Sequence, residues 1–362
     1  MPSNNACASR PERIAGRQAP SAAVTLLGAL ILTGCGARPT PVHEFQFFAM
    51  GTLVEVTLAN VENTAAQEAR RAIEGLFRRA EDDWDPWRPG ALARFNRRLA
   101  GGRPFAVDAD RLPLLQGSSE LSRRSHGLFD PAIGRLTELW GFHRDEPRGR
   151  PPEPEAIAAL MRRPPAMSDL RWNGREIQGT NPAVQIDLGA YAKGYTVDRA
   201  IAHLRGVGIA NALVNAGGDL RAIGRRGERP WRIGIRRPRS AGVLATLELA
   251  EDESVLTSGD YERFFMYDGK RYHHILDPRT GYPAEGAMAA TVICRGAAEG
   301  DAAATALVVA GPSEWQAVAH DMGIAQAMLI DGLGRIHLTE ALRPRLRFTI
   351  DPERGIPMDP KP

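Results

Sequence analysis

SVLTSGDYERFFMYDGKRYHHILDPRTGYP, residues 254–283, is the stretch on which the reading of this chain turns. Phe264 to Tyr267 and Arg271 to Ile275 are rich in aromatic and branched residues, and Asp268-Gly269 lies between them. That pair suits a type I′ turn, so the spacing predicts a β-hairpin. Thr257, Ser258, Gly259 and Asp260 enter it; His273, His274, Asp277, Arg279 and Thr280 leave it. A hairpin brings its two ends together, so these groups should converge. A loop-rich sheet edge with polar turns would explain the composition as well, but so many Ser, Thr, His, Asp and Arg in short loops favour a site.

Strands and helices alternate irregularly on both sides of this hairpin. Phe45 to Leu58 reads as two strands joined at Met50-Gly51-Thr52, the second with alternating apolar residues. Thr64 to Trp84 reads as a helix with one apolar face through Ala69, Ile73, Leu76, Phe77 and Ala80, and Thr64 with Gln67 has capping-box spacing. Further helices are expected at Asp110–Ser125 and Glu155–Arg162. A strand at Val184–Asp187 should run into an amphipathic helix from Leu188 to Gly206. Strands are expected at 212–215, 231–235, 243–249 and 291–293, helices at 299–310 and 312–322, and a closing hairpin at 327–338. Such a mixture, with several hairpins, predicts an α+β fold rather than a doubly wound sheet.

The chain has 362 residues, enough for a substantial core, and a formal charge of +3, too small to argue for nucleic acid. Lys occurs only at Lys193, Lys270 and Lys361, which singles out Lys193. Arg10, Arg13 and Arg17 precede an apolar run from Ala22 to Leu32, the order of a signal segment and too short to span a bilayer. The run ends in Leu32-Thr33-Gly34-Cys35, which resembles a lipobox. Residues 1–34 would then be a lipoprotein signal, 35–44 a tether, 45–350 the domain and 351–362 a tail. An uncleaved anchor or an ordinary secretory signal remains the alternative. A lipidated Cys35 would hold the protein to the membrane on the periplasmic side. Gly36, rather than Asp, after the Cys favours the outer membrane. Cys294 would be the sole thiol of the mature domain, so the fold must stand without a disulfide.

TSGDYxRxF and DGKRYxHIxDPRTGxP resemble the FAD:protein FMN transferases, the ApbE-like family once labelled thiamine-biosynthesis lipoproteins. The likeness continues through FxxMGTxxxV at the first strands, GLFDPAIGRLTELWGF, DLGAYAKGYTVD and LVNAGGDLRAIG, in the family's order and over nearly the whole mature chain. The resemblance implies two α/β subdomains related to the T-fold, with FAD between them. The implied reaction moves FMN from FAD to a Ser or Thr hydroxyl of an acceptor flavoprotein and releases AMP, with Mg2+ as cofactor. It implies nucleotide contacts from Met50, Asp130, Asp187, Lys193, His274 and Ile275. It implies metal ligands at the main-chain oxygen of Ala190 and the side chains of Asp301 and Thr305. Many members carry a second Asp before that Thr, where this chain has Ala304. It also implies an aromatic ring packed on the dinucleotide, a role open to Trp84 or Trp87.

The residues themselves give this chemistry partial support. Asp301 and Thr305 are four apart, so they share a helix face, and both are hard oxygen donors. A solvated face with a cap would look the same. The hydroxyl nucleophile needs a base, and a His suits it. His274 is the first catalytic candidate and Asp187 the next; His273 should face the opposite way along its strand. A hydrolase splitting FAD to FMN and AMP, or a lipoprotein that only binds flavin, remain alternatives.

Overall fold

The computed structural model describes residues 41–144 and 146–356. The signal segment, Cys35 and the last residues of the tail lie outside the described residues. The elements, in order, are β1 (Val42–Ala49), β2 (Thr52–Ala59), α1 (Asn63–Trp84), α2 (Ala91–Ala100), β3 (Phe105–Ala106), α3 (Leu112–Arg124), α4 (Gly134–Trp140) and α5 (Pro154–Met161). There follow β4 (Leu170–Asn173), β5 (Glu176–Gly179), α6 (Ala192–Gly206), β6 (Ala212–Ala216), β7 (Asp219–Ile223), β8 (Arg232–Arg236), β9 (Val243–Glu248) and β10 (Glu253–Gly259). Last come β11 (Phe264–Tyr267), β12 (Lys270–His273), β13 (Ala287–Cys294), α7 (Ala297–Asp321), β14 (Gln326–Asp331), β15 (Ile336–Leu338) and β16 (Arg347–Phe348). This is the α+β class the sequence implies.

Eight strands form one sheet in the order β1-β2-β6-β7-β10-β13-β14-β15. Its neighbours pair antiparallel. Side chains alternate across a pleated sheet, so each strand serves two apolar layers. Val54, Val56 and Leu58 of β2, Leu256 of β10, Ala290 and Val292 of β13 and Leu329 of β14 join the layer formed with helices α1, α3, α6 and α7. Val255, Ile293, Met328 and Ile330 point the other way, into a layer closed by β8 and β9. Each such Val, Leu or Ile contributes about 1.5–3 kcal/mol on full burial. A third cluster joins α4 and α5 to the hairpin through Trp140, Phe142, Ile157, Phe265 and Leu276.

The hairpin forms as expected: Asp268 and Gly269 have φ of 48° and 70°, the left-handed pair of a type I′ turn. Its second strand ends at His273 rather than Ile275. Beyond it Leu276 bridges Pro283, which closes the DPRTG loop. Met50 and Gly51 make a second turn of the same kind, with φ of 52° and 70°. A positive φ in Met50 is uncommon for a side-chain-bearing residue. The β6–β7 turn lies against this one, because a Cβ on Gly217 would sit 2.2 Å from Thr52 Oγ1. Small size at Gly217 thus places Asp219, the first residue of β7, beside the Met50 turn.

Four local expectations are corrected. The capping box does not form: α1 starts after Glu62, with no side-chain cap. Tertiary packing of the apolar face holds that end without it. The segment 184–187 is extended but unpaired apart from Gln185, which bridges Ile133. The following helix begins at Ala192, not Leu188, because Gly189 and Tyr191 form a turn held by Leu188 and Asp187. The two helices expected on either side of Gly311 do meet there, Gly311 having φ 65° and ψ −177°. The first strand starts at Val42, within the segment read as tether.

Candidate active site

Helices α6 and α7 cross closely near the sheet. A Cβ on Gly194 would lie 2.3 Å from Ala297 O and 2.9 Å from Ala298 Cα, so only glycine permits this approach. The N-cap of α7 is Gly296, which has no side chain to offer. Asp198, one turn along α6, supplies the missing cap: its carboxylate accepts from Ala297 N and Ala298 N, both at 2.9 Å. Arg221 holds Asp198 at 2.6 Å. The start of α7 is thereby fixed against α6.

This crossing sets Asp301 against Lys193. Asp301 is buried; its Oδ2 accepts from Gly194 N at 3.3 Å and lies 3.6 Å from Lys193 Nζ. Lys193 also reaches Asp219 at 2.8 Å and donates to Gly189 O at 3.2 Å. Burial opposes the Lys193 charge, but Asp219 and Asp301 outweigh it and its pKa rises. The Asp301 carboxyl is raised, first by burial and then by Asp219, with Lys193 working against both. Two carboxylates therefore share one ammonium, a local excess of negative charge. Thr305, one turn beyond Asp301, meets Ser258 of β10 through their hydroxyls at 2.9 Å.

His274 approaches the same region from the hairpin. Its main-chain N donates to Arg263 O at 3.0 Å, and its Nδ1 lies 3.3 Å from the same oxygen. Burial, then His273, Arg263 and Lys193, hold its pKa down at about 3. The ring is neutral at pH 7. His273 points away: it is buried, with Nε2 2.8 Å from Ala284 O. The alternation expected between the two histidines is present. Asp187 accepts from Gly189 N at 3.0 Å, and burial raises its pKa against the help of Gly189, Thr137 and Arg263.

Other expected residues fall in different places. Asp130 is held inside the protein: its oxygens accept from Ala132 N at 2.9 Å and Met167 N at 3.0 Å and lie 3.4 Å from Ser122 Oγ. It ties together the segments around Ser122, Ala132 and Met167. Burial pushes it up to about 6. Met50 packs against the helical layer and gives its N–H to Glu81 at 3.1 Å. Ile275 is buried in that layer. Ala190 is half-buried in the turn before α6. Trp84 packs on the same layer, while Trp87 stacks on His143 with ring centres 4.9 Å apart. Ala304 is wholly buried among apolar side chains.

The oxygen set suits Mg2+. No group of three His, Cys, Asp or Glu capable of holding a metal occurs among the described residues. Mg2+ needs no such cage, since it usually takes one or two carboxylates, waters and substrate phosphates. A buried acid whose pKa is raised by a second acid gains by exchanging its proton for a cation. Asp301, Thr305 and the carbonyl of Ala190 are the residues that would hold it.

Comparison with known proteins gives the family. The model of the ApbE family matches residues 50–329. This chain belongs to the ApbE family. It is 41% identical over 338 residues to the FAD:protein FMN transferase of Rhodobacter capsulatus, covering 92% of this chain and 64% of that protein. It is 31% identical to the FAD:protein FMN transferase of Klebsiella pneumoniae over 84% of this chain and 91% of the relative. The crystal structure of the ApbE protein from Thermotoga maritima superposes with a TM-score of 0.78 at 32% identity, over 85% of this chain and all of that one.

Asp219, Asp198 and Arg263 belong to the site or its supports and were not singled out from the sequence. Asp219 could have been found from Gly217-Gly218 before it. Arg263 sits inside the TSGDYxRxF pattern.

Proposed function

We propose that this chain transfers FMN from FAD to a Ser or Thr hydroxyl of an acceptor protein, releasing AMP. The observation that carries the reading is that Lys193 meets Asp301 and Asp219, with His274 close enough to feel its charge, from four separated stretches of a chain whose family relatives bear this activity as their name. The acceptor oxygen attacks the flavin-side phosphorus. The bond from that phosphorus to the bridging oxygen breaks, and its electron pair leaves with AMP. The hydroxyl proton passes to His274. With Nδ1 donating to Arg263 O, Nε2 carries the lone pair that takes it. A neutral ring is required for this, and burial, then His273, Arg263 and Lys193, keep it neutral; the arriving diphosphate raises its basicity by offsetting the cationic part of that effect.

Lys193 offers a charge-assisted bond to the phosphates. Mg2+ bound at Asp301 and Thr305 would neutralise phosphate charge. Asp187 holds the turn before α6 through Gly189 N and is the next candidate to carry the proton. We place the protein in the bacterial cell envelope, lipidated at Cys35 and facing the periplasm, most simply at the outer membrane. Among the described residues no helix is long and apolar enough to cross a membrane.

Incubation of the purified mature protein with FAD, Mg2+ and a Ser/Thr-containing acceptor peptide tests the reading. The peptide should gain the mass of FMN less water, with an equal amount of AMP. AMP and free FMN without peptide modification would instead make it an FAD pyrophosphatase. Binding of FAD without AMP would make it a flavin-binding lipoprotein. Cys35→Ser should release the protein from membranes and leave its soluble activity unchanged; an unlipidated mature N-terminus elsewhere would refute the anchor.

A further inference from the structure

Arg263 lies between the motifs that form the site, just before β11. A Cβ on Gly51 would be 3.4 Å from its Nη2, so the guanidinium sits over the Met50-Gly51 turn. It is near enough to Asp187, Lys193 and His274 to influence the charge of all three. The neighbouring cation Lys193 is claimed by Asp219 and Asp301. The Arg263 side chain enters no ion pair or hydrogen bond among the described residues. A cation held beside Lys193 with no carboxylate of its own raises the local positive potential. It is exposed, so water solvates it, yet its main chain is not free to drift: Arg263 O is bound by the His274 amide and ring.

We propose that Arg263 is a further catalytic residue, gripping the FAD diphosphate and stabilising charge on the departing AMP oxygen, while its carbonyl fixes the tautomer of His274. The proposal rests on the transferase reading. A guanidinium matches two phosphate oxygens with parallel N–H donors, which a lysine cannot do. During transfer the phosphorus–bridging-oxygen bond breaks and the electron pair stays on the AMP phosphate; an unpaired guanidinium is the group to meet it. The coupling to His274 also has a physical logic. The acceptor hydroxyl loses its proton to Nε2 as the leaving oxygen gains charge, and one residue faces both events.

The test uses Arg263→Ala and Arg263→Lys in the full mature chain. Wild type is first shown to release AMP and flavinylate the peptide. Arg263→Ala should then slow single-turnover transfer about 10²- to 10³-fold, with the thermal midpoint unchanged. Arg263→Lys should fall between. Millimolar guanidinium added to Arg263→Ala should restore part of the rate, which a packing defect would not allow. Transfer within about threefold of wild type, or loss of rate with loss of fold and no rescue, overturns the proposal. Should wild type release no AMP, the transferase reading fails by itself, and binding decides for Arg263. Wild type should then prefer FAD over riboflavin, which lacks phosphate, and Arg263→Ala should narrow that preference about tenfold. An unchanged preference overturns the grip.

Discussion

Gly194→Ala is the sharpest test of how the site is assembled. The added methyl would lie 2.3 Å from Ala297 O, 2.6 Å from Ala297 C and 2.9 Å from Ala298 Cα, all backbone. No side chain can rotate away. The two helices must separate by about 1 Å to restore an ordinary contact near 3.4 Å. Overpacking of this kind costs about 1–3 kcal/mol. Replacing a helical Gly by Ala returns about 1 kcal/mol, so the net loss should be about 0–2 kcal/mol. The same movement lengthens the contacts of Asp301 to Gly194 N and Lys193 Nζ, now 3.3 and 3.6 Å. The Mg2+ concentration for half-maximal transfer should rise about tenfold, equivalent to about 1.4 kcal/mol. Urea unfolding followed by tryptophan fluorescence reads the first effect, and Mg2+ titration of flavinylation reads the second. A variant as stable as wild type with unchanged Mg2+ dependence would refute the close crossing and its role.

His274→Ala should lower transfer by about two to four orders of magnitude while FAD still binds; near-normal transfer by a folded, FAD-saturated variant would remove it as the base. Asp301→Ala should cut turnover heavily and raise the Mg2+ requirement, checked by titration; full activity in excess chelator would count against a metal at this position. Asp130, pushed from 3.8 to about 6 by burial, keeps its proton in the folded chain where the unfolded chain has lost it. Its contribution is full below about pH 4 and falls by about 3 kcal/mol as pH rises to about 6. Asp130→Asn should flatten that part of the stability profile in urea titrations from pH 4 to 7, and a parallel profile would show that Asp130 is ionised throughout.

Local chemistry decided what could be read in advance. Asp268-Gly269 allows few backbone choices, so the hairpin was legible from two residues. Strand β2 was legible for the same reason: its period of two buries Val54, Val56 and Leu58 on one face. The capping box failed because Thr64 and Gln67 offer a local pairing that the packed apolar face of α1 does not need. The start of α6 was set too early because small residues from Gly189 to Ala192 suit a helix start as well as a turn. What settles it is the Asp187 carboxylate on Gly189 N, a contact that needs the folded loop. Asp198 was invisible for a related reason. Its partners are amides 99 and 100 residues away, and nothing in the sequence near Gly296 names the side chain that caps it.

The motif residues differ in how far their charges are already paired within the protein. Asp130 lies in a conspicuous motif, GLFDP, and its oxygens accept from Ala132 N, Met167 N and the Ser122 hydroxyl. Lys193 keeps two carboxylates of its own, Asp219 and Asp301. An incoming diphosphate must compete with them for that ammonium. A cation at Asp301 would remove one competitor, releasing Lys193 toward the phosphates as it arrives. Metal and nucleotide should then bind cooperatively, each easing the other, by the reciprocity that links two ligands sharing one set of charges. Arg263, with no carboxylate to give up, needs no such exchange, which is why it and not Lys193 is the cation ready for the first phosphate to enter.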